Sequence, residues 1–422
     1  MEKKRDIKQI IKDRREKINQ GIVPEGYKKT KVGIIPEDWT VKKLGELLIK
    51  ILGGGTPNRK NPNYFNGNIP WATVKDMGDE NYKTETIEYI SEEGLENSNA
   101  NLITAKNLIV STRMGLGKGF INNTDMAINQ DLKGLYPDKS KLNVDFLMYW
   151  YKNQKRRIEI LGAGSTVKGI DLNTLKNLRV AKPKLMEQQK IADVLSTWDR
   201  AIELKESLIQ EKEEQKKGLI ERLMKFDEDY KEIKIGNLLT ESKIKEENPK
   251  VDRLLTVRLH LGGVQKRELR GNETVGATTL YRRKAGQFIY GKQNFHNGSL
   301  GIIPSSLDGF ATSSDIPTFD FKNDKVNGLY FFYYWSQKNR YKRMENFTTG
   351  TGSKRLNPKD FFQVTMPIPS LREQHRIAKI LSTADREIEL LKQEVEQLKE
   401  QKKGLMQLLL TGIVRVKEVE HE

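Results

Sequence analysis

Apolar residues between Glu187 and Met224 recur in steps of four and three, at Ile191, Leu195, Trp198, Ile202, Ile209, Leu219 and Leu223. The same rhythm returns at Ile377, Leu381, Ala384, Ile388, Leu391, Val395, Leu398, Leu405 and Leu409. A period of 3.5 residues is the seam of a coiled coil. Lys205, Lys212 and Lys216 fall on the first seam and Lys402 on the second, so each helix is expected to be apolar near its ends and polar through its middle. Pro183 and Pro369 mark the starts, with acid near the amino end of each helix. At about 1.5 Å per residue each helix is a rod of roughly 57 Å. Long helices with polar centres are marginal alone, so the two are predicted to lie antiparallel against each other.

The two helices also share their letters. Over the 42 residues starting at Pro183 and at Pro369, 21 positions are identical without a gap. A repeat this far apart exceeds the 20–50 residues of a solenoid unit, so each unit is a domain plus a helix. Weaker likeness continues upstream. Lys106–Arg113 resembles Ala285–Lys292, Asn129-Gln130-Asp131 resembles Ser313-Ser314-Asp315, and Leu147–Trp150 resembles Phe332–Trp335. Short β-like runs such as Leu108–Val110, Phe288–Tyr290 and Gly301–Ile303 alternate with Gly, Asn and Thr turns. The expected fold class is α+β, with two globular domains in pseudo-twofold tandem separated by two long antiparallel helices that form a coiled coil. The expected domains are an amino-terminal basic helix (1–25), a first globular domain (26–185), a central helix (186–226), a second globular domain (227–370) and a carboxyl-terminal helix and tail (371–422). Ile7, Ile10, Ile11 and Ile18 make the first helix amphipathic, and Gly21-Ile22-Val23 resembles Gly412-Ile413-Val414, so it is expected to complete the terminal bundle.

Composition narrows the partners. A formal charge of +17 favours polyanions. Nine Lys or Arg against two acids between Arg253 and Lys292 concentrate that charge in the second domain. The absence of cysteine excludes disulfides and Cys-based zinc sites, and four scattered histidines offer no ligand spacing, so no metal site is expected. No apolar run reaches the 18 to 20 residues of a membrane span and no signal-peptide core opens the chain, so the expected location is cytoplasmic, with no membrane partner.

Catalytic motifs are incomplete. Gly115–Gly119 and Gly350–Lys354 lack the strand, loop and helix context of a phosphate-binding loop, and Asn61-Pro62-Asn63-Tyr64 departs from the Asn-Pro-Pro-Tyr of adenine methyltransferases. No Ser/His/Asp set or carboxylate cluster stands out, so no catalytic residue and no cofactor is assigned to this chain. The loops do carry donors suited to phosphates and base edges. In the first half these are Thr56, Arg59, Lys60, Arg113, Lys118, Gln130, Ser165, Thr166 and Lys168. In the second they are Lys266, Arg267, Arg270, Arg282, Arg283, Lys284, Lys292, Asn294, Ser353, Lys354 and Arg355. Arg113 and Lys292 fall near matching places after matching strands, with Gln130 and Asn294 as further candidates for base reading.

The doubled Pro-x-Leu-x-Glu-Gln-x-x-Ile-Ala-x-x-Leu-Ser-Thr pattern, both Gln-Lys-Lys-Gly-Leu segments, the ending Leu408–Val416 and the openings Gly26–Trp39 and Gly53–Asn61 resemble the specificity subunits of type I restriction-modification systems. The resemblance implies a non-catalytic reader of double-stranded DNA whose two target-recognition domains each take one half of a split site. It implies helices that space the domains and dock two methyltransferase subunits, with restriction and translocase subunits joining. S-adenosylmethionine, ATP and magnesium then belong to those partners. It marks Glu187, Gln188, Ile191, Leu195, Glu373, Gln374, Ile377 and Leu381 as partner-facing or helix-pairing positions. The second half departs from the pattern, because Tyr230–Leu239 lacks the Gly-x-Ile-Pro-x-x-Trp opening and no counterpart of Gly-Gly-Gly-Thr-Pro follows it. The competing reading is a coiled-coil scaffold whose positive charge is incidental; it predicts no salt-sensitive affinity for DNA.

Overall fold

The computed structural model describes residues 7–163, 169–225, 230–269, 271, 278–349 and 354–416. Contacts divide the chain into a unit of Met1–Leu204 with Val395–Glu422 and a unit of Lys205–Glu394. The division falls inside the two long helices, Leu185–Leu223 and Leu371–Leu410, so each unit owns one globular domain and part of each helix. No helix among the described residues is long and apolar enough to cross a membrane.

Both units are built on one frame. In the first, strands run in the order 48–53, 132–137, 108–111, 119–122, with residues 82–83 as a fifth strand. In the second the order is 239–242, 318–321, 288–290, 300–302. Each frame is closed by a strand pair, 40–43 with 179–182 and 232–234 with 365–367, which delivers the chain to its long helix. A helix packs behind each sheet, Val144–Asn153 and Gly328–Trp335, capped by the side chains of Asn143 and Asn327. An Asn at this position accepts an otherwise orphaned helix N–H. The caps put Tyr149 opposite Tyr333, one residue away from the match that the letters suggest, because the aromatic run Tyr333-Tyr334-Trp335 can be slid by one without losing similarity.

The cores differ in chemistry. The first packs Trp39, Leu108, Val110, Phe146, Leu147 and Tyr151 against Ile191 and Leu195 of one long helix and Leu409 and Leu410 of the other. The second is aromatic: Phe288, Tyr290, Phe295, Phe319, Phe331, Trp335 and Phe361 meet edge to face or stacked, with centroids 5.0–6.4 Å apart. It closes over Ile377 and Leu381 and over Leu219, Ile220 and Leu223.

Within each unit the long helices run antiparallel. In the first, the Lys402 ammonium donates to Asp199. In the second, Lys205 meets Glu394, Lys212 meets Glu387 and Lys216 meets Asp385, partner numbers falling as the first helix advances. The polar middle of each seam is therefore a ladder of ion pairs. Such half-exposed pairs contribute about 0–1 kcal/mol each, so they set register more than stability.

The opening motif has a task that arises only once. The Tyr27 hydroxyl donates to the Gly412 carbonyl at 2.6 Å and Arg14 to that of Ile413. Arg415 bonds Asp38 and Glu187, and Trp39 Nε1 donates to Glu187 at 3.1 Å. The opening thus receives the returning end of the chain. In the second unit the first long helix runs on covalently into the reader, and Arg340 Nη2 closes its last carbonyl, that of Met224, at 2.7 Å. No clamp is needed there, which explains the missing Gly-x-Ile-Pro-x-x-Trp. Gly54 and Gly55 are likewise local: a Cβ at either would fall within 2.5 Å of the backbone of residues 128–129 or 99. Those residues lie in or beside a four-stranded side sheet (88–90, 69–72, 126–128, 101–103), where among the described residues the second unit has paired strands. Replacing Arg415 by Ala strands the buried Glu187 carboxylate with the Trp39 indole as its remaining partner. A loss of about 1–3 kcal/mol is expected, read as a lower midpoint in denaturant unfolding.

Candidate nucleic-acid interface

The turn Asn129–Asp131 gathers several of the expected donors. The Thr56 hydroxyl donates to Gln130 Oε1, Arg113 pairs with Asp131 at 3.4 Å, and Lys133 Nζ donates to the Gln130 carbonyl at 3.2 Å. The Thr112 amide bonds the Asp131 carbonyl and the Ile170 amide bonds that of Thr112, so the chain on both sides of Arg113 is fixed by backbone. Burial, and then the nearby Arg113, draws the Lys133 pKa down.

The second unit builds the same junction. The Lys292 amide bonds the Asp315 carbonyl, the Leu356 amide bonds that of Lys292, and Arg355 pairs with Asp315 at 2.8 Å. Lys292 therefore stands opposite Thr112, one step from the place of Arg113. Its ammonium has no partner among the described residues and opens into a cleft of about 470 Å³ lined also by Tyr281, Ser314, Asn357, Lys359 and Lys243, the last paired with Glu241 at 2.9 Å. Lys133, Lys243 and Lys359 were not singled out from sequence. Their signal was proximity: each lies within four residues of a paired strand end or a candidate donor.

Other expected donors are distributed elsewhere. Lys60, Lys266 and Lys284 are exposed, without side-chain partners among the described residues, and Arg267 is exposed beside Lys266 on the hairpin of strands 255–257 and 264–266. Arg59 lies over Phe65 and Trp71 and bonds Glu88 at 2.6 Å, a hydrogen bond that holds the Glu88 carboxyl below its usual range. Lys118 donates to the Met77 carbonyl at 3.0 Å, Arg282 forks onto Glu246, and Lys354 pairs with Glu345. Asn294 accepts from Asn297 within its own turn. Ser165, Thr166, Lys168, Arg270 and Ser353 lie outside the described residues.

Three expectations are corrected. Arg283 is 1% exposed and its guanidinium is spent on protein oxygens, so it cannot reach DNA. Gln188 and Gln374 face neither a partner nor the other helix. Both are fully buried and tie the helix to its own reader. Gln188 accepts from the Asn143 amide and donates to Lys141 and Pro183 carbonyls; Gln374 accepts from Asn327 and donates to those of Lys325 and Pro369. Ile191, Leu195, Ile377 and Leu381 are buried in the clusters that join each reader to the ends of the long helices. Glu187 is buried and bound to Arg415, whereas Glu373 is half-buried and pairs with Arg376 at 3.6 Å.

The family profile described as Type I restriction modification DNA specificity domain matches residues 36–214 and 266–400. The chain belongs to this family. Among curated specificity proteins, the putative MjaX specificity subunit of Methanocaldococcus jannaschii is 27% identical over 306 residues, covering 67% of this chain and 71% of that one. The MjaVIII specificity subunit of the same organism is 23% identical over 71% of this chain and 75% of its own length. The crystal structure of a type I restriction-modification S subunit from M. genitalium superposes with a TM-score of 0.54 at 17% identity, over 90% of this chain and 97% of that one. That likeness extends over both units, so the fold is shared with that S subunit.

Proposed function

We propose that the chain is the DNA-specificity subunit of a type I restriction-modification complex, with each unit presenting one reader for one part of a split target. The observation that carries this is one strand order used twice, with matching Asp131 and Asp315 junctions but different donors around them, Thr56, Arg113 and Gln130 in one and Lys243, Lys292 and Lys359 in the other. A repeated frame with unlike loops suits a protein that must hold two readers alike and have them read different bases. In this reading the chain is non-catalytic. The faces of the long helices left outside the readers dock methyltransferase subunits, restriction subunits join them, and S-adenosylmethionine, ATP and magnesium are held by those partners.

Binding of double-stranded DNA should weaken steeply with salt. The variant Lys292→Ala with Lys359→Ala is expected to lower the slope of log affinity against log salt by about 0.9 for each phosphate that the two lysines no longer neutralise. Filter binding or fluorescence anisotropy across a salt series measures it. An affinity indifferent to salt would instead favour a scaffold with incidental charge.

A further inference from the structure

The two units differ on one face of their helix pair. In the first, Asp199 receives the Tyr149 hydroxyl at 2.6 Å, the Lys402 ammonium and the Asn81 amide at 2.7 Å. Asn81 belongs to the loop Asp79–Asn81, whose Asn81 carbonyl accepts the Ile121 amide and which continues as the fifth strand of the sheet at 82–83. Lys152 fastens this segment by donating to the carbonyls of Asp79 and Glu80 and to Asn81 Oδ1.

The second unit repeats the anchor without the segment. Asp385 receives Tyr333 and Lys216, as Asp199 receives Tyr149 and Lys402, but among the described residues the sheet has four strands. From the tip of the 255–266 hairpin, the His260 amide bonds the Asn297 carbonyl and the Leu261 amide bonds that of Gly298. What remains is a groove of about 890 Å³ along the first long helix, with Asp385 and Ile388 in its wall. Lys217, Lys338 and Lys342 border it and have no ion pair or hydrogen-bond partner among the described residues. Ser336 stands in the place of Lys152, so the fastening charge has moved from the reader's first helix to its neighbour.

We propose that this groove docks an acidic loop segment of a partner protein, of the chemistry that Asp79-Glu80-Asn81 supplies internally to the first unit. Charge complementarity and the repeated Asp anchor both point to that occupant. A phosphate backbone is the poorer fit, because the Asp385 anchor repeats Asp199, which accepts a side-chain amide, and a phosphate has no N–H to give.

The test uses the full chain and a fluorescein-labelled peptide of residues 78–83, Gly-Asp-Glu-Asn-Tyr-Lys, followed by fluorescence anisotropy. Saturable binding is expected, weakened about tenfold or more by Lys338→Glu with Lys342→Glu, by Leu in place of the peptide's Asn, and by raised salt. The milder pair Lys338→Gln with Lys342→Gln should weaken it in the same direction and guards against misfolding of the double reversal. Lys403→Glu, in the first unit at the long-helix position that matches Lys217, should leave binding unchanged, as DNA affinity should be in the double reversal. Absence of saturable binding, equal binding by a peptide with Lys for both acids, or loss of DNA affinity in the double reversal would each overturn the proposal.

Discussion

Arg283→Met is expected to cost the second unit about 3–5 kcal/mol and to abolish its DNA reading, although the side chain never meets DNA. Nε donates to the Thr312 hydroxyl at 2.7 Å, Nη1 to the Ser242 carbonyl and the Thr318 hydroxyl, and Nη2 to the Ile316 carbonyl. The guanidinium also packs against the Tyr281 ring, 5.3 Å from its centroid. Burial draws its pKa down to about 10, so the group remains charged at neutral pH, solvated by protein oxygens in place of water. Methionine fills the volume but strands buried carbonyls, each costing roughly 1–3 kcal/mol. Those carbonyls belong to the strands and turn that lead to Asp315, which fixes Lys292. Lysine at the site should rescue little, because one ammonium cannot span a fork of five donors. Denaturant unfolding followed by tryptophan fluorescence, beside anisotropy with DNA, reads both effects. A fully stable variant would mean that water can replace the fork.

Gln374→Ala, and Gln188→Ala in the other unit, are expected to lose about 3–4 kcal/mol each, from three hydrogen bonds and the cavity left behind. Each glutamine satisfies one N–H and two carbonyls at the point where the chain passes from reader to helix. The bonded N–H belongs to the residue whose side chain caps the helix behind the sheet, Asn143 or Asn327. Losing the glutamine therefore loosens both the cap and the mounting of the reader. Glutamate should do no better than alanine, because a carboxylate has no proton to give the two carbonyls. Hydrogen exchange at residues 144–153 and 328–335 should rise in the respective variants only. Exchange rising in both units from a single substitution would contradict the view that each reader is mounted separately.

Much of this was legible in the chain. The 3.5-residue rhythm located both long helices, and the shared letters located the duplication, because helix seams and tight junctions constrain side chains strongly. Gln188 and Gln374 were conspicuous as repeated residues, but their acceptors are backbone carbonyls, which sequence does not distinguish. Arg283 looked like part of a solvated basic run for the same reason. Lys216 and Lys402 interrupted the seams without visible cause, since Asp385 and Asp199 lie 169 and 203 residues away along the chain. The second reader's opening seemed degraded, yet it lacks only what the first uses to hold Gly412–Arg415. Loop donors were the least legible: Arg59, Lys118 and Arg282 carry the right chemistry and spend it on Glu88, Met77 and Glu246.

Co-expression of the chain with a type I methyltransferase subunit, followed by mapping of every methylated adenine in the host DNA, tests the central claim most directly. Two unlike readers mounted on one repeated frame predict a single motif of two short blocks separated by a gap of fixed length, and exchange of residues 230–369 for those of another family member should change one block and leave the other. A continuous motif, or an exchange that changes both blocks together, would contradict the account.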